Sequence, residues 1–282
     1  MKTLEALVNP FGKEDFESPD NIEKVEFDSD EKIAHMLEQY HTIEPCTYTK
    51  DHDAQIAKVT WETLSPLQID SLLQMMKGIA DKDKLESSIT GSFLTKLIHN
   101  SVKAGNTEFV LTTGDAKIHT LIEHDWDFYE HWRIPKVKIV GNAGNLLGRY
   151  GHYTVFDADG DVGDGLGWGA YRCVFNVKGS TGKNLGRNAK SVIYNIGGDV
   201  EELEAQETRM VVFNIKGDVK KFKPFVCVEN CIFNIEGRVR DVDYSFSHTH
   251  KSMFRLHDKS SYEKIYWTFH SNPHNSIELV EK

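Results

Sequence analysis

The sequence has few cysteines, few prolines and no apolar run long enough to span a membrane. Four cysteines in 282 residues do not indicate a disulfide scaffold, and such sparse use is typical of a reducing cytoplasm. The N-terminal stretch MKTLEALVNPFGKEDFE lacks a long apolar core, which predicts that it is not a signal peptide. We therefore expect a cytoplasmic protein with no membrane partner.

The sequence also has fewer basic than acidic residues. Lys and Arg number 33 against 43 Asp and Glu, a net charge of −10, which argues against nucleic acid as a partner. Cys227 and Cys231 have no second cysteine pair to complete a zinc site. No nucleophile elbow of the G-x-S-x-G type is present. From the sequence we assign no catalytic, cofactor-binding or metal-binding residue, and no cofactor.

The dominant feature of the sequence is a repeat of 19 or 20 residues that runs from Val137 to about Asp258. Its leading glycines are Gly141, Gly160, Gly179, Gly198, Gly217 and Gly237. A fixed period this short predicts stacked supersecondary units whose core exists only in the stack. We expect these glycines to lie in turns that need positive φ or close backbone approach.

Aligned on these glycines, the repeats form columns two residues apart, which on a strand point the same way. The inward columns are large and apolar, four residues before each glycine (Val137, Phe156, Phe175, Tyr194, Phe213, Phe233) and two before it (Ile139, Ala158, Val177, Ile196, Ile215, Ile235). The outward columns are apolar (Val155, Val174, Ile193, Val212, Ile232) or polar (Asp157, Asn176, Asn195, Asn214, Asn234). The Asn column predicts an amide ladder, and the outward apolar column predicts a surface that something covers.

The first three coils read GNAGNLLG, GDVGDGLG and GSTGKNLG, starting at residues 141, 160 and 179. This G-x-x-G-x-x-L-G run resembles the GXGXG β-helix domain, which occurs in the glutamate synthase large chain and in one component of formylmethanofuran dehydrogenase. The resemblance covers roughly residues 135–240, and the next three coils keep only one glycine. It implies a right-handed β-helix with a structural, domain-docking role, and it carries no catalytic residue. A leucine-rich horseshoe is the alternative fold, but its spaced leucine pattern is absent.

The N-terminal part has helical patterns. A capping-box pattern at Asp28 and Glu31 predicts a helix through about Tyr40, Ser65-Pro66 predicts a helix to about residue 79, and a further helix is expected over residues 84–102. A strand is expected at 54–61. The predicted fold is mainly β with an α-helical N-terminal part and a right-handed parallel β-helix of about six 19-residue coils. We expect a helical or mixed domain at 1–107, the β-helix at 108–258 with an insertion at 115–134, and a C-terminal cap at 259–282.

Three functional hypotheses follow. The first is a non-catalytic docking protein that binds a protein partner, or a second copy of itself, through the outward Val/Ile column. The resemblance implies association with a glutamate-synthase-like or formylmethanofuran-dehydrogenase-like oxidoreductase, in which this chain is not an enzyme by itself. The alternative is an enzyme or ligand-binding protein with a site at residues 115–134, where HDWDFYEHW at 124–132 either lines a pocket or caps the first coil. The third is a metal site around His248, His250 and His257.

Two glycine-rich runs, at 163–169 and 179–184, resemble nucleotide-binding loops. Such a loop needs a preceding strand and a following helix. Both runs lie inside the repeat, between homologous segments, so the pattern favours turns of the solenoid.

Overall fold

The structure is a computed structural model that describes residues 31–44, 54–121, 134–224, 227–243, 249–270 and 272–280. The insertion at 124–132, Cys46 and the first residues of the predicted 28–40 helix lie outside these ranges. Within them, no helix combines the length and the apolar character that crossing a bilayer requires.

The helices of the described residues are α1 (Glu31–Thr42), α2 (Pro66–Ile79), α3 (Lys82–Leu85), α4 (Ser88–Lys103) and α5 (Lys259–Phe269). At the start of α2, the Ser65 side chain accepts the Gln68 backbone N–H and the Gln68 side chain accepts the Ser65 N–H, so the predicted start is confirmed. The helix predicted over 84–102 is interrupted between α3 and α4. The strand predicted at 54–61 is wrong: residues 54–56 form a helical turn, and Ile56 and Trp61 pack against the helical core.

A long parallel sheet confirms the predicted β-helix. It contains β1 (Glu108–Gly114), β2 (Lys136–Gly141), β3 (Val155–Ala158), β4 (Val174–Val177), β5 (Ile193–Ile196), β7 (Val212–Ile215), β10 (Ile232–Ile235), β13 (Met253–Leu256) and β14 (Ser276–Leu279). Two shorter parallel sheets form from β6 (Val200–Glu204), β8 (Val219–Lys223) and β11 (Val239–Val242), and from β9 (Val228–Glu229) and β12 (Thr249–His250). The sheet extends beyond the six coils of the repeat at both ends, and β14 lies in the segment predicted as a cap.

The inward columns form the core. A continuous aromatic spine consists of Phe156, Phe175, Tyr194, Phe213, Phe233, Phe254 and Phe269. Successive ring centroids are 4.7 to 5.1 Å apart and the rings are within 8° of parallel. The strand spacing sets this distance for the six rings that lie on strands, and Phe269 of α5 adds the seventh. The buried Tyr194 hydroxyl donates to the Gly167 carbonyl at 2.9 Å, so its polar atom is satisfied.

The leading glycines are required by close approach and, except at Gly141, not by φ. Gly141 alone among them has positive φ, at 118°. A Cβ on Gly217 would lie 2.4 Å from the carbonyl carbon and oxygen of Gly198 in the preceding coil. From the second coil on, a left-handed corner lies seven residues before the glycine position, at Tyr153, Arg172, Ser191, Met210, Asn230 and Lys251, with φ between 51 and 56°.

A polar side chain directly after each of the first five leading glycines links one coil to the next by a hydrogen bond. Asn142, Asp161, Ser180, Asp199 and Asp218 each accept the backbone N–H of the equivalent residue one coil later, at 2.8 to 3.0 Å. Asp218 accepts hydrogen bonds from the Arg238 N–H and from the Arg240 side chain, and these bonds lower the pKa of its carboxyl group. These bonds satisfy donors that the turns leave unpaired.

The N-terminal helices cover the first edge of the long sheet. Asp70 of α2 accepts the backbone N–H of Thr112 in β1 at 2.6 Å. Gln74 and Lys77 of the same helix donate to the Thr112 carbonyl at 2.9 and 3.0 Å. One helix therefore satisfies both backbone groups at this position of an edge strand.

The C-terminal segment covers the other end of the stack. Ser261 of α5 accepts the N–H of Val239 in β11 at 2.8 Å, and Lys264 donates to the Val239 carbonyl at 3.0 Å. Asn272 donates to the carbonyl of Thr249 in β12 at 2.6 Å. Phe269 closes the aromatic spine. The last strand of each shorter sheet thus forms backbone hydrogen bonds with side chains of the C-terminal segment.

Candidate functional site

The outer face of the long sheet, meaning the outward side chains of β3, β4, β5, β7 and β10, carries the features that the sequence singles out. In four of these strands the residues alternate between partly exposed and buried positions, and β7 differs only at Val212. The outward Val/Ile column consists of Val155, Val174, Ile193, Val212 and Ile232. All but Val212, which is 6% exposed, are partly exposed. The predicted outward apolar column is confirmed.

An amide ladder runs beside this column, as predicted. Asn176 donates to Asp157 at 2.6 Å, and Asn195 donates to Asn176 at 2.7 Å. In the same way, Asn214 donates to Asn195 at 2.7 Å, and Asn234 donates to Asn214 at 2.6 Å. Every amide donates to the preceding coil, so the ladder has a direction. Its last acceptor, Oδ1 of Asn234, is buried and has no hydrogen-bond partner among the described residues.

Charged side chains form the rim of this face, one position before each glycine. Their order along the stack is Asp159, Lys178, Gly197, Lys216 and Glu236. Lys178 lies 2.6 Å from Asp159, whose carboxylate raises the pKa of that ammonium group. Since Gly197 has no side chain, a gap separates the two lysines. A groove of about 570 Å³ lies there, lined by the Asn ladder, Lys178, Lys216, Glu236 and His257. Amides at fixed spacing and charged groups at the rim are suited to recognition of a surface.

The proposed junction site falls only in part on described residues, because 122–133, with Trp126 and His131, lie outside them. The described part, 115–121, is packed against the helices. His119 Nδ1 accepts the Asn145 N–H at 2.7 Å, and burial lowers the pKa of His119. The Thr120 hydroxyl donates to the Ser88 carbonyl of α4 at 2.9 Å. This part of the segment therefore joins the helices to the first coils.

The structure does not bring together the described histidines of the proposed metal site, His250 and His257. His248 lies outside the described residues. His250 contacts the ring of His274, with centroids 4.7 Å apart, whereas His257 lines the groove on the outer face. Across the ranges that the structure describes, no group of three or more His, Cys, Asp or Glu side chains is placed to hold a metal ion.

Sequence reasoning missed two exposed or partly exposed aromatic features. Trp168 lies between the guanidinium groups of Arg149 and Arg187, which are 5.3 and 4.7 Å from its ring. The 19-residue spacing of these three residues is the signal that could have found the stack. Trp267 on α5 is 72% exposed and borders a groove of about 510 Å³ with Glu263 and Lys264.

Comparisons with protein-family models, with curated proteins and with solved structures found no match to this chain. The assignment of function therefore depends on the geometry and the sequence pattern of the chain itself.

Proposed function

We propose that the chain is a non-catalytic docking protein that binds a different protein through the outer face of the long sheet. The observation that carries the proposal is the partly exposed apolar column beside a continuous amide ladder. Both features repeat at the strand spacing on a stacked, hydrogen-bonded sheet. Apolar contact supplies burial on binding, and the amides and rim charges give orientation and specificity.

The rim charges favour a different protein over a second copy. Their order is acid, lysine, glycine, lysine, acid. A two-fold axis through Gly197 would set Lys178 opposite Lys216 of the second copy, and Asp159 opposite Glu236. Like charges that face each other across an interface are unfavourable. A partner with acidic groups opposite the two lysines is complementary to this face.

The motif resemblance extends the proposal to the type of partner. Coils that start at Gly141, Gly160 and Gly179 carry the full G-x-x-G-x-x-L-G run. This supports a role as one component of a glutamate-synthase-like or formylmethanofuran-dehydrogenase-like oxidoreductase, in which the catalytic groups belong to other chains.

The test is the native mass of the protein after gentle purification from its own source. The wild-type chain is expected in a complex with another polypeptide. Val174→Glu and Ile193→Glu, which place a charge on the apolar column, should release the chain as a folded monomer. Leu67→Glu is the matched control, because Leu67 is 61% exposed on α2, the helix that bonds to β1 at the first edge of the long sheet. A complex that survives both outer-face variants would exclude the proposed surface.

A ligand-binding or catalytic site at residues 115–134 is the second candidate. The aromatic and acidic composition of 124–132 favours it, as does the position of His119 between the helices and the first coils. Trp126→Ala and His131→Ala test this candidate. If they change nothing but stability, the junction has a packing role only.

A further inference from the structure

The edge of β14 stands apart from the other strand edges at the two ends of the stack. Side chains of α2 bond to β1, those of α5 bond to β11, and Asn272 bonds to β12. By contrast, β14 packs against α5 but has no strand partner other than β13, and it is the last strand of the long sheet in the part of the chain that the structure describes.

The backbone of β14 shows which groups face that open edge. The N–H groups of Ser276 and Val280 bond to the carbonyls of Ser252 and Leu256, on the β13 side, at 3.0 and 2.9 Å. Alternate residues of a strand direct their backbone groups to opposite edges. The N–H and C=O groups of the residues at 277 and 279 therefore face outward. Such an edge is a template for strand addition.

The side chains of β14 define what an added strand must carry. Ile277 and Leu279 lie in register with the buried Phe254 and Leu256, so they belong to the inward columns. Leu279 is nevertheless 40% exposed. Glu278 lies between them on the outward side, and its carboxylate is 3.4 Å from the guanidinium group of Arg255. The edge therefore presents one acidic group flanked by two apolar groups.

We propose that β14 binds an extended segment of a partner protein in which a Lys or Arg lies between two apolar residues. The segment would extend the long sheet through backbone hydrogen bonds, as strand-addition domains do. Its apolar residues would cover Ile277 and Leu279, and its basic residue would face Glu278. This interface is separate from the outer face and does not depend on the docking function proposed for it.

A second copy of β14 fits the edge poorly. Antiparallel pairing that uses both outward residues of each copy sets Ile277 opposite Leu279. That register places Glu278 directly opposite its own equivalent, and like charges in this position are unfavourable. The net charge of −10 per chain adds to the repulsion. The charge pattern thus selects a basic segment.

The chain itself supplies a probe with the required pattern. Residues 135–140 read PKVKIV, in which Val137-Lys138-Ile139 is apolar, basic, apolar. A capped, fluorescent peptide of this sequence should bind the full-length protein saturably, as measured by anisotropy. The matched control peptide, with Glu in place of Lys138, should bind about fivefold more weakly, because a like-charge pair with Glu278 replaces an opposite-charge pair. Equal binding of the two peptides, or no saturable binding of the basic one, overturns the proposal.

Two protein variants locate the site. Glu278→Lys, at an exposed side chain, should reverse the preference between the two peptides. Leu279→Pro removes a backbone donor that faces the open edge and keeps the bonds to β13, so it should abolish binding with an unchanged circular dichroism spectrum. Binding that persists in Leu279→Pro overturns the proposal. A wild-type dimer that Leu279→Pro dissociates would assign the edge to a second copy and overturn the proposed occupant.

Discussion

Replacing Gly217 with alanine tests whether the glycine column is required by the close approach of successive coils. The added Cβ would lie 2.4 Å from the carbonyl carbon and oxygen of Gly198 and 2.5 Å from the Asp199 carboxylate. Optimal contacts between carbon atoms are about 3.5–4.0 Å, so the preceding coil would have to move by about 1 Å. Overpacking in a well-packed site costs about 1–3 kcal/mol. Because the displaced atoms are backbone atoms of a hydrogen-bonded coil, we expect a loss near the upper end of that range.

Gly78→Ala is the control for this substitution. Gly78 lies in α2, and a Cβ there would meet nothing within 4 Å. Alanine should therefore stabilise the protein by about 0.5–1 kcal/mol through its helix propensity. Urea unfolding followed by circular dichroism measures both variants. The φ of Gly217 is not in the left-handed region, so a loss of stability in Gly217→Ala would come from the close contact alone. If Gly217→Ala is as stable as the wild type, the close-contact explanation is refuted.

Three further predictions concern the effect of burial on single side chains. Burial lowers the pKa of His119 from its usual 6.5, so the unfolded chain takes up the proton first as the pH falls through that value. Urea titrations should show stability decreasing toward acid pH more in the wild type than in His119→Gln, and equal decreases would contradict the linkage. Tyr194→Phe keeps the ring stack but loses one hydrogen bond, so unfolding measurements should show a loss of about 1 kcal/mol, and an unchanged stability would refute that role. A thiol reagent should label the exposed Cys227 in the native protein and spare the buried Cys173 and Cys231. Burial raises the pKa of Cys173 to about 12 and that of Cys231 to about 11, so neither forms the reactive thiolate. Rapid labelling of either buried thiol would contradict their placement in the inward columns.

The fold was predictable where one residue type recurs at a fixed interval. The aromatic column from Phe156 to Phe233 and the Asn ladder are visible in the sequence because identical neighbours stack at the strand spacing. The reason for the glycine column was only partly predictable. Sequence alone left positive φ and close approach as alternatives, and the structure assigns positive φ to a corner column of larger residues such as Tyr153 and Arg172.

The hydrogen bonds that join the end segments to the edge strands could not be predicted for individual residues. Asp70 and Thr112 are 42 positions apart in the chain, and no local pattern indicates that a helix side chain will bond to an edge strand. Strand β14 was missed for a related reason, because Ser276–Leu279 lacks the glycine and the aromatic residue of the repeat. In the candidate site, the outward columns were predicted, whereas the gap at Gly197 and the groove required the structure.

The most direct test of the docking function is site-specific photo-crosslinking in the native cell. A photoreactive residue at Val174 or Ile193 should join the 32.1 kDa chain to one other polypeptide, which mass spectrometry would identify. The same group at Leu67, on α2, should yield no such product. Recovery of the uncrosslinked chain alone from all three positions, or crosslinking only to a second copy of the chain, would contradict the proposal that the outer face docks a different protein.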